Sequence, residues 1–176
     1  MQQYEKYRFC PVCGGTLGKK VLKSGEPVRL VCSRCQFVFY LDPKVVACVI
    51  AKIEGKIIML KRDIPPGIGL WAIPGGGVDV GEAVPDAARR ETWEEVRLNV
   101  EIASLVGVYS YPGIAAVIIV YEAHVIDGIL EAADEAQEVR LFSPHNIPWD
   151  TIAFSSTKDA LKDYLRNRHP EVLPYH

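Results

Sequence analysis

GGGVDVGEAVPDAARRETWEEVRL, residues 75–98, sets three glutamates, Glu91, Glu94 and Glu95, within five positions. At helical spacing they are neighbours on one face, where like charges oppose one another by about 0.2–0.5 kcal/mol per pair. At 100° per residue, Val84, Ala87, Ala88, Glu91 and Glu95 fall in one stripe with Glu94 beside it. Asp86, Arg89, Arg90, Trp93 and Arg97 lie around the other sides. A solvated acidic face would set its carboxylates opposite the alanines. Here they continue the small, apolar stripe that points toward protein, where uncompensated charge is expensive. Two kinds of compensation are at hand. One is Arg90, within i±4 reach of Asp86 and Glu94. The other is a divalent cation, because converging carboxylates are the hard oxygen donors that Mg²⁺ or Mn²⁺ prefers. The competing reading is an acidic surface helix laced by arginines. The wheel and the glycine run just upstream, whose carbonyls and amides can approach a metal site, favour the cation.

Around this stretch the chain reads as alternating strands and helices. VVACVIAKI (45–53) and KIIMLKRD (56–63) flank a turn at Glu54-Gly55 and predict a hairpin. A Pro/Gly loop and a short glycine-broken strand lead into the helix over 84–96, where Pro85 is tolerable in the first turn. EIASLVGVYSY and IAAVIIVYEAHVI predict long strands broken at Pro112-Gly113, and EVRLF a further short one. SSTKDALKDYL predicts an amphipathic closing helix, with Ser156 and Asp159 in capping-box positions. Mixed strands with a helix after the third strand and another at the end suggest an α/β sandwich.

Five cysteines occur, and four of them read CPVC (10–13) and CSRC (32–35). The pattern C-x2-C-x18-C-x2-C suits a zinc site in which Cys10, Cys13, Cys32 and Cys35 close a tetrahedron. VLKSGEPVRLVC between the knuckles predicts two short strands around a Ser-Gly turn, a zinc ribbon. Two disulfides or a redox motif compete. An intracellular setting disfavours disulfides, and the missing βαβ context disfavours a thioredoxin-like role. Four thiolates leave no open position, so such a zinc is structural. Cys48, inside a strand-like run, reads as a small buried apolar residue. We therefore expect a ribbon over 1–40 and a second domain over 41–176.

With 49% hydrophobic residues and a net charge of −2, the chain as a whole has the composition of a globular protein and no nucleic-acid footprint. Residues 1–40 are formally +5 and the remainder −7, but a zinc held by four thiolates reduces the ribbon's excess to about +3. Nucleic acid is therefore not an expected partner. MQQYEKYRF lacks an apolar signal region, and AAVIIVY (115–121) is far too short to span a bilayer. We expect a cytoplasmic protein with no membrane partner.

Gly76-x5-Glu82-x7-Arg90-Glu91-Thr92-x-Glu94-Glu95-x-Arg97-Leu98 resembles the Nudix box, G-x5-E-x7-R-E-U-x-E-E-x-G-U, over 23 residues. One position departs: Arg97 stands where the family has glycine. Glycine at a helix's C-terminal turn takes φ > 0 cheaply, so Arg97 implies a differently shaped helix exit, with a cation favourably placed by the helix dipole. No carboxylate is lost. The resemblance implies a Nudix α/β/α sandwich with a mixed sheet, and hydrolysis of a nucleoside diphosphate linked to another group. It implies Glu91 and Glu95 as main ligands of Mg²⁺ or Mn²⁺, Glu94 as a ligand or proton acceptor, and the Gly76 carbonyl as a further ligand. Arg90 would orient the carboxylates and Glu82 would secure the loop. Glu138, on the approach to a strand, lies in a region that often supplies a loop glutamate; the alternative is a solvated acid.

Beyond the box, the ribbon, FYLDPKVV, GLWAIPGG and IPWDTIAFSSTKDALKDYL resemble zinc-ribbon Nudix pyrophosphatases acting on FAD and ADP-ribose. NADH pyrophosphatases carry a similar ribbon, but their S-Q-P-W-P-F-P-x-S signature is missing from SLVGVYSYPGIAAV. The candidate substrate contacts are Arg62, Trp71, Gly76 and Glu82. Arg62 is either a phosphate fork or a solvated strand-end charge, and Trp71 either stacks on a base or belongs to the core. Tyr109 and Tyr111 flank the loop after the box and suit an aromatic ring. The rival from another class is a nucleotide-sensing or nucleic-acid-binding module, against which the intact carboxylate set argues. By analogy with dinucleotide-type Nudix enzymes we expect a homodimer.

Overall fold

The computed structural model describes residues 6–170 and 172. The chain divides into two compact units, one ending at Pro43 and one beginning at Lys44.

The first unit is a three-stranded antiparallel sheet of β1 (Leu17–Lys20), β2 (Arg29–Cys32) and β3 (Val38–Phe39). Its register sets Leu17 opposite Cys32 and Lys20 opposite Arg29. The first strand thus lies earlier than the expected Val21–Lys23 run, and residues 21–28 form the connection. Leu17 supplies the reason: it is buried beside Cys10, Leu30 and Cys32, whereas Val21 and Leu22 are exposed. Four buried residues make a very small core, and a unit of this size ordinarily needs a metal or disulfides to hold it.

The second unit holds β4 (Lys44–Ile53), β5 (Lys56–Arg62), β6 (Trp71–Ala72), β7 (Gly75–Gly77), α1 (Val84–Val96), β8 (Leu98–Tyr109), β9 (Ala116–Gly128), β10 (Ala136–Phe142) and α2 (Ser155–Arg168). The expected hairpin forms: Ile53 pairs with Lys56 across Glu54 (φ 51°) and Gly55 (φ 76°), the double positive φ of a tight two-residue turn. The sheet runs β10-β5-β4-β9-β8, with β6 added to β5 and β7 to β4. β4 and β9 are parallel and the other pairs antiparallel, so the sheet is mixed.

Period-two alternation along β4 and β5 separates two apolar layers. Cys48, Ile50, Ile57 and Met59 face one way and pack with Ala160, Leu161, Tyr164 and Leu165 of α2. Ala47, Val49, Ala51, Ile58 and Leu60 face the other and pack with Ala87, Ala88 and Val96 of α1. One helix on each face makes the α/β/α sandwich, and α1 lies against β4 and β7, which brings the glutamate-rich helix to the sheet. No helix among the described residues is long and apolar enough to cross a membrane.

Two helix ends differ from the sequence reading. The capping box at α2 does not form: Phe154 is the N-cap, no side chain caps the helix, and Ser156 is buried inside its first turn. The exit of α1 keeps the shape that a glycine would give. Arg97 itself adopts the left-handed conformation (φ 56°, ψ 31°), and its amide donates to the Trp93 carbonyl. β8 can therefore begin at once, at Leu98.

Candidate functional site

In the first unit, the Sγ atoms of Cys10, Cys13, Cys32 and Cys35 lie within 4.8 Å of one another. Cys10 and Cys35 are 3.7 Å apart and Cys13 and Cys32 3.5 Å apart. Four sulfurs each about 2.3 Å from one ion stand ~3.8 Å from each other, so the set fits a tetrahedral zinc. The amides of Cys35 and Arg34 donate to Cys32 Sγ at 3.5 and 3.4 Å. Led by the Cys35 amide, and against the effect of burial, they hold the Cys32 thiol well below its usual value. A thiolate at neutral pH is what a metal ligand must be.

In the second unit, the box residues converge on Arg90. Its Nε and Nη2 fork onto the two carboxylate oxygens of Glu82, both at 2.9 Å. Nη2 also donates to the Gly77 carbonyl at 2.9 Å, and Nη1 to Glu91 at 2.8 Å and Glu94 at 3.0 Å. Glu82 in turn accepts from the Asp79 amide at 3.2 Å, so the loop after β7 is tied to α1 at two points. Asp86, within reach of Arg90 on the wheel, pairs with Arg89 instead.

Glu95 takes no arginine. It is 4% exposed, and one oxygen accepts the Gly75 amide at 2.8 Å. Burial is the largest effect on its carboxyl, which is pushed up to about 8. Burial also raises Glu91 against the pull of Arg90, whereas the Arg90 fork lowers Glu82. The glycines upstream are closely approached, Gly75 by backbone that cannot yield and Gly76 by the carboxylate that it helps to seat. A Cβ on Gly76 would come within 2.4 Å of the Glu91 carboxylate, and one on Gly75 within 2.4 Å of the Ala47 carbonyl. Thr92, at the box's apolar position, is fully buried because its hydroxyl donates back to the Ala88 carbonyl at 2.7 Å.

Glu91, Glu95 and Gly76 line a cavity of about 820 Å³. Arg62 lines it too, buried at the end of β5, with Nε donating to the Pro66 carbonyl at 2.8 Å and its guanidinium over the Phe154 ring. Its first task is thus to hold the loop after β5. Trp71 follows the core reading: it is buried edge-on against Phe142 and is absent from the cavity lining. Glu138 also lies off the lining, on β10, where it pairs with Arg140.

The acid that reaches the cavity from this region is Glu135, one residue before β10. Sequence reasoning passed over it because EAADEAQE offers four acids and spacing does not rank them. The far wall carries Tyr111, Ile114 and Phe154 with the uncapped start of α2. Tyr111 donates to Asp159 and Tyr109 to Asp163, which ties the loop after β8 to that helix. Ser156 and Thr157 line the same wall, both buried, with no side-chain hydrogen bond among the described residues.

Three carboxylates, Glu91, Glu95 and Glu135, line the cavity beside the guanidinium of Arg62, while Arg90 pairs with Glu82, Glu91 and Glu94 at its margin. Burial already pushes Glu95 and Glu91 toward their neutral forms, a cost that a bound cation would remove, and the donor set is all oxygen. It fits a hard divalent cation. Arg90 stands between the carboxylates of Glu91 and Glu94, and Glu95 is turned to Gly75, so among the described residues the gathered ligand set is that of the cysteines.

Comparison with known proteins agrees with this geometry. The NUDIX domain family matches residues 41–164, and a zinc-ribbon family described as Nudix N-terminal matches residues 8–41. An ADP-ribose pyrophosphatase of Methanocaldococcus jannaschii is 36% identical over 157 residues, 87% of each chain. An NAD-capped RNA hydrolase, NudC, of Edwardsiella ictaluri is 36% identical over 101 residues, 56% of this chain but 36% of that protein. The crystal structure of a NUDIX hydrolase from Nitrosomonas europaea superposes with a TM-score of 0.88 at 36% identity, covering 97% of both chains. The two family matches together span residues 8–164, and the chain belongs to the Nudix hydrolases that carry an N-terminal zinc ribbon.

Proposed function

We propose that this Nudix hydrolase is a Mg²⁺- or Mn²⁺-dependent pyrophosphatase that splits the diphosphate of a nucleoside diphosphate derivative, ADP-ribose or FAD, into AMP and a phosphorylated product. The observation that carries it is the set of three carboxylates, Glu91, Glu95 and Glu135, that line one cavity beside Arg62, with Glu95 buried and hydrogen-bonded to the Gly75 amide rather than to an arginine. Glu91, Glu95 and Glu94, with the Gly76 carbonyl, are the residues that would hold the ions. Bound divalent ions supply neutralisation of the diphosphate and acidification of water.

The chain's own residues do the rest. Arg90, anchored by Glu82, fixes the Glu91 carboxylate at the cavity and ties Glu94 beside it. Water adds through its oxygen to one phosphorus, the bridging P–O bond breaks, and its electron pair stays on the departing phosphate. The water's proton needs an acceptor, and Glu135 is the cavity-lining carboxylate placed outside α1. Arg62, with Nε on the Pro66 carbonyl and Nη2 on the Ile64 carbonyl, keeps Nη1 for the diphosphate. The apolar wall of Tyr111, Ile114 and Phe154, with the free hydroxyls of Ser156 and Thr157, suits a ring bearing hydrogen-bond acceptors.

The activity named for the Methanocaldococcus relative, which matches most of this chain, supports ADP-ribose. The NudC likeness favours a second reading, cleavage of an NAD-type diphosphate, but it spans about a third of that protein. A hydrolysis panel of ADP-ribose, FAD and NADH with Mg²⁺ or Mn²⁺, beside Glu95→Gln, separates them. AMP from ADP-ribose or FAD and a dead variant are expected. NADH as the preferred substrate would select the second reading, and no turnover in a protein that binds Mn²⁺ would select a sensing module.

A further inference from the structure

The one departure from the box, Arg97, has a partner. Its Nη2 donates to Asp134 Oδ1 at 3.2 Å. Both residues hold left-handed backbones without being glycine, Arg97 at φ 56° and Asp134 at φ 42°. Such conformations persist where the surroundings over-determine them, and here two of them are joined side chain to side chain. What they join is specific. Arg97 follows Glu95 by two residues, Asp134 immediately precedes Glu135, and Glu95 and Glu135 line the same cavity.

The loop between β9 and β10 is laid along the end of α1. The Glu131 amide donates to the Val96 carbonyl at 3.3 Å and the Ala133 amide to the Glu95 carbonyl at 3.0 Å. On the other side, the Asp63 amide holds the Glu135 carbonyl at 2.8 Å. Between these anchors the Asp134 side chain is tied to the guanidinium of Arg97, which itself rests over the Trp93 ring. A glycine at 97 would take the left-handed turn with no strain, but would have nothing to grip the loop.

We propose that Arg97 is a positioning residue: through Asp134 it sets the Glu135 carboxylate against the carboxylates of α1. The inference rests on the proton-accepting role given to Glu135 above. Arg97 does not line the cavity, so its removal acts on the chemical step through Glu135 and leaves substrate binding alone. Because the pair is partly exposed, the effect is moderate, a roughly three- to tenfold loss.

The test is the kinetics and melting temperature of Arg97→Gly, Arg97→Lys, Asp134→Ala, Arg97→Gly with Asp134→Ala, and Glu135→Gln, on whichever of ADP-ribose and FAD the wild type cleaves. Arg97→Gly is expected to lower kcat roughly three- to tenfold with KM within twofold, while its melting temperature is no lower than the wild type's. Arg97→Lys recovers part of kcat, and the double variant is no slower than Arg97→Gly. A merely structural arginine would lose activity only as stability falls. Wild-type kcat in Arg97→Gly beside a slow Glu135→Gln overturns the inference and leaves the Glu135 reading standing. Wild-type kcat in Glu135→Gln overturns that reading and the inference with it.

Discussion

The cysteine cluster of the ribbon and the proposed metal site on α1 are built in opposite ways. The four cysteine sulfurs are already gathered, on a unit whose core is little more than the cysteines and two leucines. The glutamates of α1 are held apart, two by Arg90 and one by the Gly75 amide, on a sheet with two full apolar layers. A structural ion can be the core of its unit. A catalytic site must stand without its ion, and a large core with one well-placed arginine lets it do so. The lesson is that strain and unbalanced charge are tolerated where the surrounding packing is strong.

That contrast is breakable, and the largest effect belongs to the ribbon. Cys32→Ser should lower bound zinc from one per chain to none and unfold the first unit, seen as loss of metal by mass spectrometry and rapid proteolysis within residues 6–43. Retained protection without zinc would mean the small core suffices.

Next is Glu95→Gln, expected to cost at least ~10³ in kcat by removing a ligand to the ions that offset the developing charge. The same change should raise the melting temperature of the zinc-loaded protein free of Mg²⁺ and Mn²⁺, since burying the side chain no longer requires uptake of a proton. The pH dependence has a definite sign. In the folded protein Glu95 titrates near 8, against 4.5 for the free group. The folded state therefore keeps the proton more tightly, and stability is lost as pH rises between those values, by up to ~1.4 kcal/mol per unit. Thermal melts at pH 5, 6.5 and 8 should show this loss, abolished in Glu95→Gln and reversed by Mg²⁺. A slope identical in the variant would assign it to other groups.

Glu82→Gln is smaller. It breaks the fork that anchors Arg90, and a 10–100-fold fall in kcat is expected, the range typical of lost support behind metal ligands. Glu138→Gln comes last: paired with Arg140 outside the cavity lining, it should change kcat less than twofold.

Much of this architecture is legible in the residues themselves. The tight turn at Glu54-Gly55, the helix over 84–96 and the inward Glu95 follow from local pattern, because turn chemistry and helical period act over a few residues. Spacing alone pairs Arg90 with the carboxylates, but its choice of Glu82 over Asp86 depends on a loop folding back, which spacing does not encode. Trp71 went to the core because a strand residue beside Phe142 is buried by the sheet's layering, a tertiary fact. Glu135 was hidden for the same reason: the loop's docking onto the last carbonyls of α1, rather than its composition, decides which acid enters the cavity. Arg97 shows the limit most clearly. A side chain where glycine is usual suggested an altered exit, yet the backbone kept the left-handed turn and carried the strain.

The most direct measurement of the central claim is Mn²⁺ binding followed by electron paramagnetic resonance, on zinc-loaded wild type and Glu95→Gln without substrate. The account predicts saturable binding by the wild type and at least tenfold weaker binding by the variant. Equal affinity in the two proteins, or none in the wild type, would contradict the assignment of the α1 glutamates as a metal site.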